Sequence, residues 1–339
     1  MTKSLWVPPP PQGRRMPKRR PKRPRRGSRP RGSSFSGGKI APVAALVMVL
    51  SLMACLLVAA GPVLSLVGEG GRVNVLLLGI DRRSGTGWGY RTDTIIVVSL
   101  DPATGTASML SIPRDLQVTI PGHGEDRVNT ANVFGHRRDN PEGGPDLLKS
   151  TIETNFGIPI DGYLMVDFAL FEEIVDGLGG IEVDVPRVLH DMRYPDPRPG
   201  DPHAFKTIHF EPGRQQMDGK RALEYARSRM STTDFDRAKR QQLILLAIRE
   251  RAMSLSAIPR WPLVAKAVFD GVKTDLNPAD MLALAALVAR IEPSSMRQVV
   301  LEPPLVVGHR RADGAAVQLP RWNLVNPVLE DLFGPRGSR

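Results

Sequence analysis

The 339-residue sequence predicts an α/β fold, a mixed central sheet covered by helices on both faces, preceded by one transmembrane helix and a disordered basic tail. Three observations predict it. Short apolar runs ended by Gly or Pro read as strands, and apolar residues at helical spacing lie between them. The two kinds of segment alternate along the chain, which is the pattern of a sheet covered by helices. Charge is segregated: residues 1–40 hold 13 Lys/Arg and no Asp or Glu, so 33 of the 46 basic residues face all 35 acidic ones elsewhere. The overall +11 therefore belongs to the tail, and the remainder is near neutral at −2. This excludes a folded surface built broadly for nucleic acid, and no nucleic-acid partner is expected. The single cysteine, Cys55, excludes a disulfide framework and a Cys-based zinc cluster.

In chain order, residues 1–39 carry eight prolines and too little apolar surface to offset chain entropy, so they read as a disordered tail. Residues 40–67 form a stretch of 28 without a formal charge. About 20 suffice for a helix to cross a bilayer. Both the basic region and the apolar stretch are too long for a cleaved signal peptide. The basic flank precedes the stretch, which places the N-terminus in the cytoplasm and residues 72–333 outside, as one extracytoplasmic domain of a single-pass cell-membrane protein.

Within that domain, Val73–Gly79 reads as a buried strand and Thr94–Leu100 as a second, rich in β-branched residues. Asp101-Pro102-Ala103-Thr104-Gly105 is turn chemistry, so Ala107–Ile112 closes a hairpin. Leu116–Ile120 alternates and ends at Pro121-Gly122, as a further strand does. Gly144-Pro145-Asp146 opens a helix that carries Leu148, Ile152 and Phe156 on one face and ends at Gly157. Strand Tyr163–Val166, helix Phe168–Gly177 and strand Ile181–Val185 follow. Residues 187–215, rich in Pro, Asp and His, read as a long loop. Helices are predicted at Gly219–Arg229, Asp234–Met253 and Pro278–Ile291, and a strand at Gln298–Leu301.

Common catalytic signatures are missing: there is no G-x-S-x-G, H-E-x-x-H or P-loop. Gly85, Gly87 and Gly89 read as a flexible loop. His190, Asp191, Asp196 and His203 read as solvated loop residues rather than metal ligands. Acids and arginines at strand ends stand out instead: Asp81, Arg91, Asp93, Arg114 and Asp115. Two carboxylates brought together repel unless a cation bridges them, and Mg²⁺ is typically held by one or two carboxylates plus phosphate oxygens. A second group is Arg227, Arg229, Arg237 and Gln241, the last two sharing a helix face. Guanidinium forks match phosphate oxygens two at a time. From the residues alone, a pyrophosphate site and a solvated basic face are both open.

The stretches NVLLLGID (74–81), RTDT (91–94), SIPRD (111–115), 143–185 and DGKRALEYARSRMSTTDFDRAKRQQ (218–242) resemble, in this order, those of the LytR-CpsA-Psr family of cell-envelope phosphotransferases. The resemblance implies transfer of a phospho-glycopolymer from a polyprenyl-pyrophosphate carrier to a wall acceptor, usually peptidoglycan. It implies Mg²⁺, with Mn²⁺ as a substitute, held by Asp81 and Asp93. It implies pyrophosphate binding by Arg114, Arg227, Arg229, Arg237 and Gln241, with Arg91 and Asp115 orienting them. The same residues would serve a polyprenyl-pyrophosphate hydrolase or a non-catalytic lipid or glycopolymer binder. Where the family commonly has Gly, this chain has Asp236, which is expected to face solvent.

Overall fold

The computed structural model describes residues 71–81, 90–137, 140, 143–198, 200, 201, 203–229 and 232–334. The basic tail, the apolar stretch 40–67 and the glycine loop 85–89 lie outside the described residues. Among those described, no helix is long and apolar enough to cross a membrane.

β1 (Val73–Ile80) pairs antiparallel with β2 (Thr92–Asp101), which turns into β3 (Thr106–Ser111). The turn closes because the Asp101 carboxylate accepts the backbone N–H of Ala103 and Thr104 at 2.9 and 3.1 Å. Gly105 then takes a φ of 65°, which side chains resist. A small hairpin follows, β4 (Gln117–Ile120) with β5 (Gly124–Arg127), then α1 (Ala131–Gly135) and α2 (Gly143–Phe156). β6 (Gly162–Asp167) runs parallel to β1, and Asp167 caps α3 (Phe168–Gly177) by accepting from Leu170 N at 2.9 Å. β7 (Ile181–Val185), β8 (Leu189–Pro195), β9 (Phe205–Phe210) and β10 (Gly213–Met217) come next. The chain continues through α4 (Gly219–Arg227), α5 (Asp234–Met253), α6 (Trp261–Gly271), β11 (Lys273–Thr274), α7 (Pro278–Arg290) and β12 (Met296–Val300). It ends in the hairpin β13 (Val306–Arg310) and β14 (Ala316–Pro320), then α8 (Trp322–Phe333).

The central sheet has the order β11-β6-β1-β2-β3-β12 and mixes parallel with antiparallel pairs. Strand parity sorts its two faces. Leu76, Leu78, Ile80, Ile95, Val97 and Leu110 share a core with α2 and α8. Val73, Val75, Leu100 and Ala107 face the other way, against Leu284 and Leu287 of α7. Each of the buried Val, Leu and Ile side chains contributes about 1.5–3 kcal/mol. Helices thus cover both faces. A third core joins Ile181 and Val183 of β7 to Tyr225 of α4 and Ile244 and Ala247 of α5.

The loop expected at 187–215 is a correction. β8 and β9 pair antiparallel within it, and β10 returns to β7. Leu189, Tyr194, Ile208 and Phe210 are buried there. A register shift between Asp191 and Tyr194 breaks the simple alternation that would have marked a strand. The first polar helix also ends earlier, at Arg227, because Ser228 leaves helical geometry with ψ 140°.

Candidate active site

The site begins at one end of the central sheet, where β1 finishes and β2 starts. Gly79 pairs with Thr94, but Ile80 pairs with Thr92, so Asp93 is the extra residue of a β-bulge. A bulge re-aims the side chain it carries. Asp81, directly after β1, stands at the same strand end. The strands approach so closely here that a Cβ on Gly79 would lie 2.9 Å from Thr94 Cβ and Oγ1. Arg114, in the turn after β3, donates Nη1 to Asp93 Oδ1 at 2.6 Å. Burial works against the Arg114 charge, but Asp93, Asp234 and Asp115 outweigh it and hold the guanidinium above its ordinary range.

The corner between α4 and α5 delivers the remaining arginines. Arg227, the last residue of α4, lies 3.5 Å from Asp81 Oδ2 and 3.4 Å from the Tyr194 hydroxyl. Its guanidinium also stacks 3.9 Å above the Phe168 ring. The corner itself is tied down from inside. Buried Asp191 accepts Ser228 Oγ at 2.8 Å and Arg229 N at 3.3 Å. Arg240 donates to Tyr225 O at 2.9 Å, to Thr232 Oγ1 at 3.1 Å and to Ser228 O. Thr233 and Asp236 then cap α5 reciprocally, each accepting the other's backbone N–H.

Asp234 is the hub. Its carboxylate lies 3.2 Å from Arg229, 3.2 Å from Arg237 and 3.6 Å from Arg114. Arg237 is buried, and desolvation holds its guanidinium below the ordinary range against the opposing pull of Asp234. Four guanidiniums thus pair with three carboxylates, Asp81, Asp93 and Asp234, which leaves the arginines in excess of their paired acids. Such a cluster suits an incoming polyanion.

The profile of the LytR_cpsA_psr family matches residues 61–326. The chain belongs to this family. Among its relatives is the polyisoprenyl-teichoic acid–peptidoglycan teichoic acid transferase TagU of Oceanobacillus iheyensis, 36% identical over 209 residues, covering 60% of this chain and 59% of that one. The crystal structure of Bacillus subtilis TagV superposes with a TM-score of 0.60 at 28% identity, over 78% of this chain and 98% of that one. TagT bound to LIIa-WTA gives 0.60 at 27% identity, over 79% and 94%. The chain spans roughly half to two thirds of the length of the first curated relatives.

In this LytR_cpsA_psr chain the fold joins Arg114, Arg229 and Arg237 through Asp234, ties Asp93 to Arg114, and sets Arg227 against Asp81. Arg91 is exposed just before β2. Asp115 acts on Arg114 through its charge, and its carbonyl accepts Gln318 N at 3.0 Å. Gln241 is half-buried one turn beyond Arg237, without a hydrogen bond to the cluster among the described residues. Asp236 does not simply face solvent: besides capping α5 it pairs with Arg187. Asp191 is a buried brace, and Asp196 pairs with Arg198 and Lys206. Sequence reasoning missed Asp234, Tyr194, Phe168 and Asp191 as parts of the site. Asp234 had a signal, since it lies inside the last matched stretch, whereas Tyr194 lay in a segment read as loop. Among the described residues no three acid, His or Cys side chains gather into a metal cage. Asp81 and Asp93 stand at one strand end, each paired with an arginine, Asp81 with Arg227 and Asp93 with Arg114.

Proposed function

We propose that this chain is a membrane-anchored phosphotransferase that moves a phospho-glycopolymer from a polyprenyl-pyrophosphate carrier to a peptidoglycan acceptor. One observation carries the reading: Arg114, Arg227, Arg229 and Arg237 converge beside two carboxylates at a single sheet end. The relative named a polyisoprenyl-teichoic acid–peptidoglycan teichoic acid transferase supports it. The uncharged stretch 40–67 behind the basic tail supports a single span with the N-terminus inside and the domain outside.

The arginines bind the non-bridging oxygens of the pyrophosphate and spread the charge that develops on the leaving phosphate. Stacking on Phe168 and the bond to Tyr194 hold Arg227 in place before substrate arrives, so little ordering cost remains. Asp234 keeps the three guanidiniums around it from repelling one another. Asp81 and Asp93 would hold Mg²⁺, or Mn²⁺ in its place, which supplies further charge neutralisation on the phosphate oxygens. An acceptor hydroxyl attacks the polymer-bearing phosphorus. The new P–O bond to the wall sugar forms as the bond to polyprenyl phosphate breaks, and the hydroxyl proton passes to a carboxylate at this sheet end.

The test is transfer from a defined lipid-linked donor to peptidoglycan by the full chain in vesicles. Arg227→Ala with Arg229→Ala should lower transfer by roughly a hundredfold or more while thermal unfolding stays close to wild type. Near-normal transfer by the folded double variant refutes the site. Donor consumption that is equal with and without acceptor would make the chain a hydrolase instead.

A further inference from the structure

The segment after α5 carries an apolar surface that the reaction does not use. Met253 is 41% exposed, Leu255 84%, Ile258 45%, Trp261 45%, Leu263 57% and Phe269 43%. Six large apolar side chains within 17 residues are far more than scattered surface hydrophobics. They are not loosely held. Trp261 Nε1 donates to Ala252 O at 2.9 Å, which fixes the indole on the end of α5. Arg251 ties the same end to Leu178 O at 2.9 Å. Ala267 is the buried residue of α6, so the helix turns its small side inward and its large side out.

The position of this surface identifies what covers it. α5 spans about 30 Å, at about 1.5 Å per residue. Its first turn holds Asp234 and Arg237. Its last turns bind the end of α7, through Arg249 to Val288 O at 3.2 Å and to Ile291 O. Ile291 shares a core with Val73 and Val75, the first residues of β1. The part from Met253 to Leu263 therefore lies toward the end of the domain where the chain enters β1, whereas Phe269 lies nearer the other end, since Gly271 packs against Leu170, three residues after Asp167, the partner of Ile80. Only five residues separate Val73 from Val67, the end of the uncharged stretch. At about 3.3–3.6 Å per residue, β1 starts within about 20 Å of that stretch. Among the charged residues of this stretch, Arg260 is exposed, Lys266 pairs with Asp270, and Arg249 and Arg251 are held by backbone carbonyls.

From this we infer that the surface of residues 253–263 is a membrane-docking face, seated in the interface of the anionic bilayer that anchors the chain. An apolar face carrying Trp and Leu, rimmed by cations, is the chemistry of interfacial binding. The bilayer replaces water over the exposed side chains, and Arg260 meets lipid phosphates. Docking here holds the domain in one orientation, with the arginine cluster up to about 30 Å from the surface. The inference rests on the anchored reading of residues 40–67.

The test uses the full chain in phosphatidylglycerol-containing vesicles, with Cys55→Ser and a nitroxide on Leu263→Cys or, as control, on exposed Met192→Cys beside the site. The chain should resist alkaline carbonate extraction. The Leu263 label should respond to lipid-soluble oxygen, and the Met192 label to an aqueous nickel complex. If the chain resists extraction but both labels respond equally to nickel, the docking face is overturned and the anchor stands. If carbonate releases the chain, the anchor fails, and the inference with it. If Leu263 labels broaden one another and are shielded from both probes, a second copy covers the surface and the inference is wrong.

Discussion

Replacing Asp234 by Asn removes the charge that three arginines share while keeping the side chain's size. Arg237 is the residue that suffers, since its side chain is 8% exposed and Asp234 is its carboxylate at 3.2 Å. Breaking a buried ion pair costs about 3–5 kcal/mol. Asp234 is itself 32% exposed, so solvent screening reduces the loss to about 2 kcal/mol. For a domain of this size that corresponds to a fall of roughly 4–8 °C in Tm. Ligand binding should move the other way. The four arginines are then paired with two carboxylates instead of three. Removing one negative charge roughly 5 Å from a bound pyrophosphate, at an effective dielectric of about 40–80, favours the anion by about 1–2 kcal/mol. Inorganic pyrophosphate should therefore bind Asp234→Asn roughly five- to thirtyfold more tightly than wild type. Thermal unfolding and calorimetric titration measure the two quantities. An unchanged Tm, or weaker pyrophosphate binding by the variant, would show that Asp234 is not the neutralising hub.

Gly79→Ala should drive β1 from β2 at Thr94, costing about 1–3 kcal/mol and uncoupling Asp81 from Asp93, seen as a lower Tm together with lost transfer. Thr233→Ala removes the cap of α5 and should cost about 1 kcal/mol in denaturant unfolding, with m unchanged. Asp236→Ala tests a pH dependence. Burial pushes the Asp236 carboxyl up, but its bonds to Thr233 and the charge of Arg187 win and hold it below its ordinary value of about 3.9. A depressed native value means that the carboxylate stabilises the fold above that pH and loses its contribution as pH falls through the native value. The Tm gap between wild type and Asp236→Ala should thus be full above about pH 5 and shrink progressively as the pH falls below the ordinary carboxylate range. A gap that stays constant over that range would remove the carboxylate's role.

Much of the fold was legible because its signals are local. Val73–Ile80 and Thr106–Ser111 announce themselves by apolar runs and a turn, and α3, β7 and α5 begin and end at the residues their spacing predicts. α6, α8 and the hairpin β13–β14 were not anticipated. α6 hides because its apolar residues point outward, so its pattern does not mark a core face. The β8–β9 pair hides behind prolines and a register shift. The arginines and Asp81 and Asp93 were visible as residues of the matched stretches, but nothing local related one stretch to another.

By itself, then, the sequence determined the strands, the principal helices, the segregation of charge to the tail, and the arginines and acids that carry chemistry. These follow from side-chain period, turn chemistry and composition, which act over a few residues. Tertiary structure alone decided which of them meet. Asp81 and Arg227 are 146 positions apart and Tyr194 and Arg227 33 apart, and they converge only because β1, β8 and α4 all end at one edge of the domain. The bulge that re-aims Asp93 arises from strand register, and Asp234, with Arg237 one turn away on its own helix and Arg229 just before it, becomes the hub only when the turn after β3 brings in Arg114. A carboxylate's role depends on the charges within a few ångströms of it, and that distance is set by packing rather than by sequence separation.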